Sequence, residues 1–342
     1  MPYFPKSIDR RDNVCYNIKV IKSELFDERN MRMSLSRVRK LVFKAFPNIN
    51  EKKFYLLHRS AVRLIRSQLF LEGFYKLWDN TVSCGGRDVR VRIFRPEHET
   101  ADYVIMFYHG GGWVTDGVET YTGVCRRLSE YLGCRMISVD YGLAPEHRFP
   151  EGFADCYNAA RELALRPYVF GEDKSKKIVL MGDSAGGNLA AAVSTLARDR
   201  NEFHIEAQVL VYPAVWCDYN EETTPFESVR ENGKNYVLTA SRMRDYMDLY
   251  KSADDDYRSP YFSPMRTKSF SGLPKTLILT AEYDPLRDEG IAYGKEIRKA
   301  GGKAAIYMMN DAIHGFLMAD RHSPFVRKSF AAIKKFLIEV MS

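Results

Sequence analysis

Ser184, in the stretch GDSAGG, has the local sequence context of a catalytic nucleophile. It follows the apolar run KIVLM and precedes an alanine-rich helical pattern, so G-x-S-x-G stands between a strand and a helix. Gly182 and Gly186 are expected because the turn that lifts the hydroxyl above the sheet edge is tight. The spacing alone also arises by chance, so the strand–turn–helix context is what indicates a nucleophile.

A serine hydroxyl near neutral pH needs a general base. In a chain of alternating strands and helices, the base is expected after the last strand. We predict His314, in the loop DAIHGF, because it follows the strand AAIYMMN and Gly315 allows it to project. His204 precedes its strand and His322 lies near the start of the last helical pattern, so neither is favoured.

The base in turn needs a carboxylate that orients it, expected at the end of the preceding strand. We predict Asp284, which ends the run LILTAEYD and is followed by Pro285. Glu282 still lies within the strand. Asp288 lies at the start of a helix, where capping or an interaction with the helix dipole is its ordinary role.

Three consecutive glycines, Gly110 to Gly112, follow the apolar run DYVIMF and raise the alternatives of a flexible linker or a ligand cradle. Attack by a serine on a carbonyl produces an oxyanion, which needs preorganised N–H donors. We therefore predict an oxyanion hole formed by the backbone amides of Gly110, Gly111 and Ala185. Gly112 is expected to set the loop conformation, and His109 to support the loop structurally rather than act as a base.

Apolar β-rich runs alternate with helical patterns from about residue 80 onward. This predicts an α/β fold with a mostly parallel sheet covered on both faces. The runs VRVRIFRP and YVIMFYH lack an intervening helix, so an antiparallel start is expected. Residues 216–265 contain no good strand and are predicted to be an inserted helical cap segment. Residues 1–75 are predicted to be an N-terminal helical cap segment, and residues 76–342 the core.

The net charge of +7 is concentrated in residues 1–75, which hold 16 Lys and Arg against 7 Asp and Glu. The pattern there favours amphipathic helices with ordinary solvated basic faces. A surface that attracts anionic substrate, polymer or membrane is the alternative. No nucleic-acid motif is present, so no nucleic-acid partner is predicted.

The cysteine and hydropathy patterns indicate a cytoplasmic protein. The six cysteines lie far apart without a C-x-x-C pair, which favours buried, reduced thiols over a zinc site or a disulfide scaffold. No run approaches the roughly 20 apolar residues of a bilayer span, and the N-terminus lacks the apolar centre of a signal peptide. No stable membrane association is therefore expected.

Five stretches in order, HGGGW, VDYGLAPEHRFP, GDSAGGNLA, EYDPLRDEG and HGF, resemble the hormone-sensitive-lipase-like branch of α/β-hydrolases. The resemblance runs from about residue 80 to the C-terminus. It implies the α/β-hydrolase fold, carboxylesterase activity on short acyl chains, no metal and no cofactor. It also implies a cap made of N-terminal helices and an inserted segment.

The leading hypothesis is a serine carboxylesterase that acts on a small-molecule ester through a covalent acyl-enzyme. The same triad would serve an amidase or a deacetylase of acetylated sugars or other metabolites. A non-hydrolytic ligand receptor is a more distant alternative. Trp113 and Trp216 are predicted pocket walls. The oligomeric state stays open, and a homodimer is compatible with the sequence.

Overall fold

A single eight-stranded sheet runs through the described part of the chain, residues 77–172 and 176–341 of the computed structural model. Its central strands are the continuous apolar runs that the sequence singles out, and nearly all of their side chains are buried. In chain order the strands are β1 (Leu77–Cys84), β2 (Arg87–Phe94), β3 (Tyr103–Tyr108), β4 (Arg135–Asp140), β5 (Lys177–Asp183), β6 (Ala207–Val211), β7 (Lys275–Tyr283) and β8 (Ala304–Ile313).

The strands lie in the order β1-β2-β4-β3-β5-β6-β7-β8. From β4 to β8 every neighbouring pair is parallel, whereas β2 is antiparallel to both β1 and β4. Because parallel strands end at the same edge, the loops that follow β3, β5, β7 and β8 meet at the carboxyl edge of the sheet. The mostly parallel α/β fold predicted from the sequence is confirmed.

Seven α-helices of the described residues connect and cover these strands. The first and last pack on one face, in a core that includes Phe107, Met181, Leu279 and Ile333. The helices are α1 (Val118–Leu132), α2 (Glu151–Leu165), α3 (Ala185–Arg200), α4 (Glu227–Asn232), α5 (Ala240–Tyr250), α6 (Arg287–Lys299) and α7 (Pro324–Met341).

The start of the sheet differs from the expected pairing of its first two apolar runs. β2 is antiparallel to the sheet, as expected, but β4 lies between β2 and β3. Strand β1 was not predicted; it pairs with β2 along its whole length through a two-residue turn at Gly85 and Gly86. Apolar residues make up half of β1 but are interrupted by the polar stretch Asp79–Thr81, so it lacks the continuous apolar run that marks the central strands.

The segment 216–265 contains α4, α5, a short 3-10 helix and the start of a second one, and no strand. The predicted N-terminal cap segment, residues 1–75, lies outside the described residues. Among the helices that are described, none is both long and apolar enough to cross a bilayer.

Both ends of the segment 216–265 are attached to α3 through Asn188. The buried Asn188 side chain donates to the carbonyl of Ala214 (2.7 Å), just before the segment, and to that of Phe262 (2.9 Å), near its end. The backbone N–H of Met265 also donates to the carbonyl of Val215 (3.0 Å). One amide side chain thus joins the nucleophile helix to the root of the inserted segment.

Replacing Asn188 with alanine is expected to lower the free energy of unfolding by about 2 kcal/mol, because two buried carbonyls lose their donor. Urea unfolding would measure this. Ser194→Ala is the matched control, since Ser194 lies buried on the same helix with no hydrogen-bond partner among the described residues. An equal loss in both variants would contradict the assigned role of Asn188.

Candidate active site

Ser184 occupies a strained turn between β5 and α3, with φ 55° and ψ −119°. The turn needs glycine on both sides. A Cβ at Gly182 would lie 2.2 Å from the carbonyl oxygen of Gly186, and one at Gly186 would lie 2.0 Å from that of Tyr108. Both distances are impossible for real atoms. Gly182 therefore lets the turn close on itself, and Gly186 lets it pack against the end of β3. The hydroxyl stands directly before Ala185, the first residue of α3.

Ser184, His314 and Asp284 form a hydrogen-bonded chain at the carboxyl edge. The Oγ of Ser184 lies 2.9 Å from Nε2 of His314, and Nδ1 of His314 lies 2.7 Å from Oδ2 of Asp284. The Asp284 carboxylate is fully buried, and its Oδ1 accepts the backbone N–H of Leu286 (2.9 Å). The ring of Tyr212 packs against the imidazole, with 4.7 Å between ring centroids. This geometry suits proton transfer from the serine to a histidine that a carboxylate orients.

The alternative bases and acids lie elsewhere. His204 and His322 are exposed, and each interacts with a neighbour close to it in sequence. Glu282 accepts a backbone N–H from β8 (2.7 Å). Asp288 accepts a backbone N–H in the first turn of α4 (2.8 Å), which is a capping role. None of the four hydrogen-bonds to Ser184 within the described residues.

Asp183, next to the nucleophile, binds the glycine loop. Its Oδ1 accepts the backbone N–H of Gly110 (2.9 Å), and its Oδ2 accepts the hydroxyls of Tyr121 (2.9 Å) and Tyr212 (3.2 Å). Burial raises the pKa of the Asp183 carboxyl to about 6, and these donors act in the opposite direction. The Asp183 carboxylate is thus a structural hydrogen-bond acceptor.

This contact corrects the predicted role of Gly110 as an oxyanion donor. An amide has one N–H proton, and that of Gly110 is donated to Asp183. The N–H groups of Gly111, Gly112 and Ala185 have no acceptor in the part of the chain that the structure describes. The set of available donors therefore includes Gly112 in place of Gly110. The local sequence does not reveal this bond because the acceptor, Asp183, is 73 residues away.

His109 is fully buried behind the glycine loop. Its Nδ1 lies 2.7 Å from the carbonyl oxygen of Gly110, and its ring stacks on that of Tyr141 at 4.3 Å. The Tyr141 hydroxyl also donates to the carbonyl of His109 (2.7 Å). Burial lowers the pKa of His109. These contacts support the loop.

The two predicted pocket walls, Trp113 and Trp216, differ in their surroundings. The Trp113 side chain is only 1% exposed and stacks on Tyr250 at 4.7 Å, so it does not face an open pocket. Tyr250 of the inserted segment covers it. Trp216 is half-buried, with the Arg266 guanidinium 4.8 Å above its ring, and its role as a pocket wall stays a prediction.

The sequence matches the α/β-hydrolase fold family over residues 105–318. The chain belongs to this family. Within it, the chain is a member of the hormone-sensitive-lipase-like esterase branch, as the sequence analysis predicted. It is a carboxylic ester hydrolase.

Three relatives illustrate this placement. The chain is 38% identical to an arylesterase of Saccharolobus solfataricus over 249 residues, 72% of this chain and 79% of that protein. It is 30% identical to an ethyl acetate hydrolase of Pseudomonas putida over 236 residues, 68% of this chain and 72% of the relative. The structure of a hyperthermophilic esterase from the archaeon Pyrobaculum calidifontis superposes with a TM-score of 0.76 at 36% identity, covering 90% of this chain and 99% of that one.

This α/β-hydrolase has a second buried carboxyl group near the triad, Glu289 of α6, which the sequence analysis missed. Its Oε1 accepts the backbone N–H groups of Val215 (2.7 Å) and Trp216 (3.1 Å) and the hydroxyl of Tyr219 (3.0 Å). Burial raises the pKa of Glu289 to about 8, against the effect of these donors, and the Asp284 charge adds to the rise. An acidic residue within the buried stripe of α6 is the signal that reveals it.

No group of three or more His, Cys, Asp or Glu side chains in residues 77–172 and 176–341 is arranged to hold a metal ion. The described site presents a hydroxyl, an imidazole, carboxylates and backbone N–H groups. These are sufficient for acyl transfer.

Glu289 is expected to make folding less favourable as the pH rises. Its pKa is raised from 4.5 to about 8, so its contribution is fully present below about pH 4.5 and is lost as the pH passes about 8. The loss is on the order of 5 kcal/mol. Glu289→Gln keeps the Oε1 acceptor and cannot ionise, so its stability should fall less than that of the wild type between pH 5 and pH 9.

Urea unfolding at pH 5, 7 and 9 measures this difference. Glu296→Gln, which changes a partly exposed carboxylate on the same helix, is the control and should follow the wild type. Parallel pH curves for the wild type and Glu289→Gln would contradict ionisation of Glu289 in this range.

Proposed function

We propose that the protein hydrolyses esters of short acyl chains through a Ser184–His314–Asp284 triad and a covalent acyl-enzyme. The observation that supports this most directly is the pair of hydrogen bonds, 2.9 Å and 2.7 Å long, that joins the three side chains. This hydrogen-bonded order of nucleophile, base and orienting acid is the arrangement that activates a serine hydroxyl.

In the first step, Oγ of Ser184 attacks the ester carbonyl carbon while Nε2 of His314 takes the hydroxyl proton. Asp284 accepts the Nδ1–H hydrogen bond, which fixes the tautomer and stabilises the imidazolium that forms. Collapse of the tetrahedral intermediate breaks the bond to the alcohol oxygen. His314 returns the proton to that oxygen, and the alcohol leaves an acyl group on Ser184.

In the second step, water attacks the acyl carbonyl while His314 removes one of its protons. The second tetrahedral intermediate expels Oγ of Ser184, which takes the proton back from the imidazolium. The products are the carboxylic acid and the original enzyme, so no cofactor is consumed. Each proton moves between His314 and an oxygen atom within hydrogen-bond reach.

The oxyanion of both intermediates would rest on the backbone N–H groups of Gly111, Gly112 and Ala185. Loss of one such donor typically raises the barrier by about 3–4 kcal/mol. Ala185 is the first residue of α3, so its N–H also carries the positive end of the helix dipole. Gly110 contributes indirectly, because its bond to Asp183 anchors the loop.

The proposed substrates are small esters with short acyl chains. Two observations support this. A relative is named an ethyl acetate hydrolase, which denotes an acetyl ester. In addition, Tyr246 and Tyr250 of α5 pack directly on the glycine loop and leave no gap between loop and helix at Gly112 and Trp113.

Ser184→Ala should lower the hydrolysis of p-nitrophenyl acetate by about 10⁶-fold, because nucleophilic attack is lost. Asp284→Asn should lower kcat by about 10⁴-fold, because the amide favours the wrong imidazole tautomer. Ser194→Ala is the control for a serine on the same helix. Circular dichroism would verify that each variant is folded, and turnover retained by Ser184→Ala would overturn the assignment.

Across p-nitrophenyl esters from acetate to palmitate, kcat/KM should peak at the short chains. The kcat/KM for palmitate should be at least about tenfold lower, because α5 packs on the glycine loop without a gap and leaves little room for added methylenes. A rapid burst of p-nitrophenol before steady state would reveal the acyl-enzyme. Rates that rise steadily toward palmitate would contradict the proposed chain-length limit.

A further inference from the structure

Helix α5 of the inserted segment places two tyrosines against two consecutive residues of the glycine loop. Tyr246 packs on Gly112, and Tyr250, one helical turn later, stacks on Trp113. The indole and the Tyr250 ring are nearly parallel, at 4° and 4.7 Å between centroids. The i, i+4 spacing puts both tyrosines on the same helix face, so this face of α5 follows the path of the loop.

The contact at Gly112 is unusually close because this residue has no side chain. Gly112 has φ +61°, and a Cβ built there would lie 2.5 Å from Cγ and Cδ2 of Tyr246 and 2.7 Å from Cδ1. Three nearly equal distances put that point over the face of the ring near Cγ. The flat ring therefore lies directly on the backbone of Gly112.

Hydrogen bonds hold α5 in place at its middle and at its C-terminal end. Near the middle, the Arg244 guanidinium donates to the carbonyl of Tyr219 (2.7 Å). At its C-terminal end, the backbone N–H of Phe149 donates to the carbonyl of Tyr250 (2.8 Å), and the Ser252 hydroxyl donates to the carbonyl of Phe149 (2.5 Å). The ring of Tyr246 is thus carried by a helix with a defined position rather than by a free loop.

We propose that Tyr246 is a positioning residue for the oxyanion hole: its ring holds Gly112, and with it a donor N–H, in the conformation that receives the oxyanion. This inference rests on the proposed function. Asp183 fixes the loop at Gly110 from the side of the sheet. Tyr246 fixes it two residues later from the side of the inserted segment.

A residue that acts through the oxyanion hole affects transition-state stabilisation more than substrate binding. The N–H of Gly112 gains most of its interaction when negative charge develops on the carbonyl oxygen. Loosening Gly112 should therefore lower kcat with little change in KM. A trifluoromethyl ketone, which adds to the serine and puts an oxyanion in the hole, should lose affinity in proportion to kcat/KM.

The test compares Tyr246→Ala, Tyr246→Leu and Tyr246→Phe on p-nitrophenyl acetate. Tyr246→Ala should lower kcat by about 10- to 100-fold, with KM within about threefold of the wild type. Its Ki for a trifluoromethyl ketone should rise by the same factor as kcat/KM falls. Tyr246→Leu keeps apolar volume without a flat ring, so its kcat should lie between those of the wild type and Tyr246→Ala. Tyr246→Phe keeps the ring, so its kcat should stay within about threefold of the wild type.

Tyr261→Ala is the matched control, since this tyrosine of the same segment stacks on Phe153 of α2 at 5.6 Å. It should lower Tm without lowering kcat. An unchanged kcat and Ki in folded Tyr246→Ala or Tyr246→Leu, or an equal kcat loss in Tyr261→Ala, would overturn the inference. An inactive wild type, or full activity in Ser184→Ala, would instead overturn the proposed function on which it rests.

Discussion

The backbone contact between Gly186 and the end of β3 is the constraint on which the site depends. The carbonyl of Tyr108 lies so close to Gly186 that no side chain fits, and this lets α3 begin immediately after the strained turn at Ser184. The contact also sets β3, and therefore the glycine loop that follows it, beside the nucleophile. One close approach between two segments of backbone thus positions both the proposed nucleophile and the loop of proposed oxyanion donors.

Two buried carboxyl groups outside the triad stabilise the loops on either side of Ser184. Asp183 binds the glycine loop, and Glu289 binds the backbone at Val215 and Trp216, where the inserted segment begins. Each accepts three hydrogen bonds, and burial raises the pKa of each. A buried carboxyl needs hydrogen-bond donors, and buried loop N–H groups need acceptors. Pairing the two satisfies both kinds of group.

The inserted segment is attached to the active site by polar contacts at its root and by aromatic packing along α5. Its root is bound by Asn188 and Glu289, and its helix α5 lies on the glycine loop through Tyr246 and Tyr250. Polar contacts fix where the segment leaves the core, while flat aromatic rings cover loop backbone that carries no side chains of its own. Aromatic rings suit this role because they bury a large area with few rotatable bonds.

The sequence by itself determined the fold class and the identity of Ser184, His314 and Asp284 as candidates. These depend on local patterns: apolar runs that alternate with helices, and chain order relative to strand ends. The tertiary structure alone decided that Gly110 donates to Asp183 and that Trp113 is covered. It likewise decided the pairing of β2 with β4. These features depend on contacts between residues far apart in the chain, which no local pattern encodes.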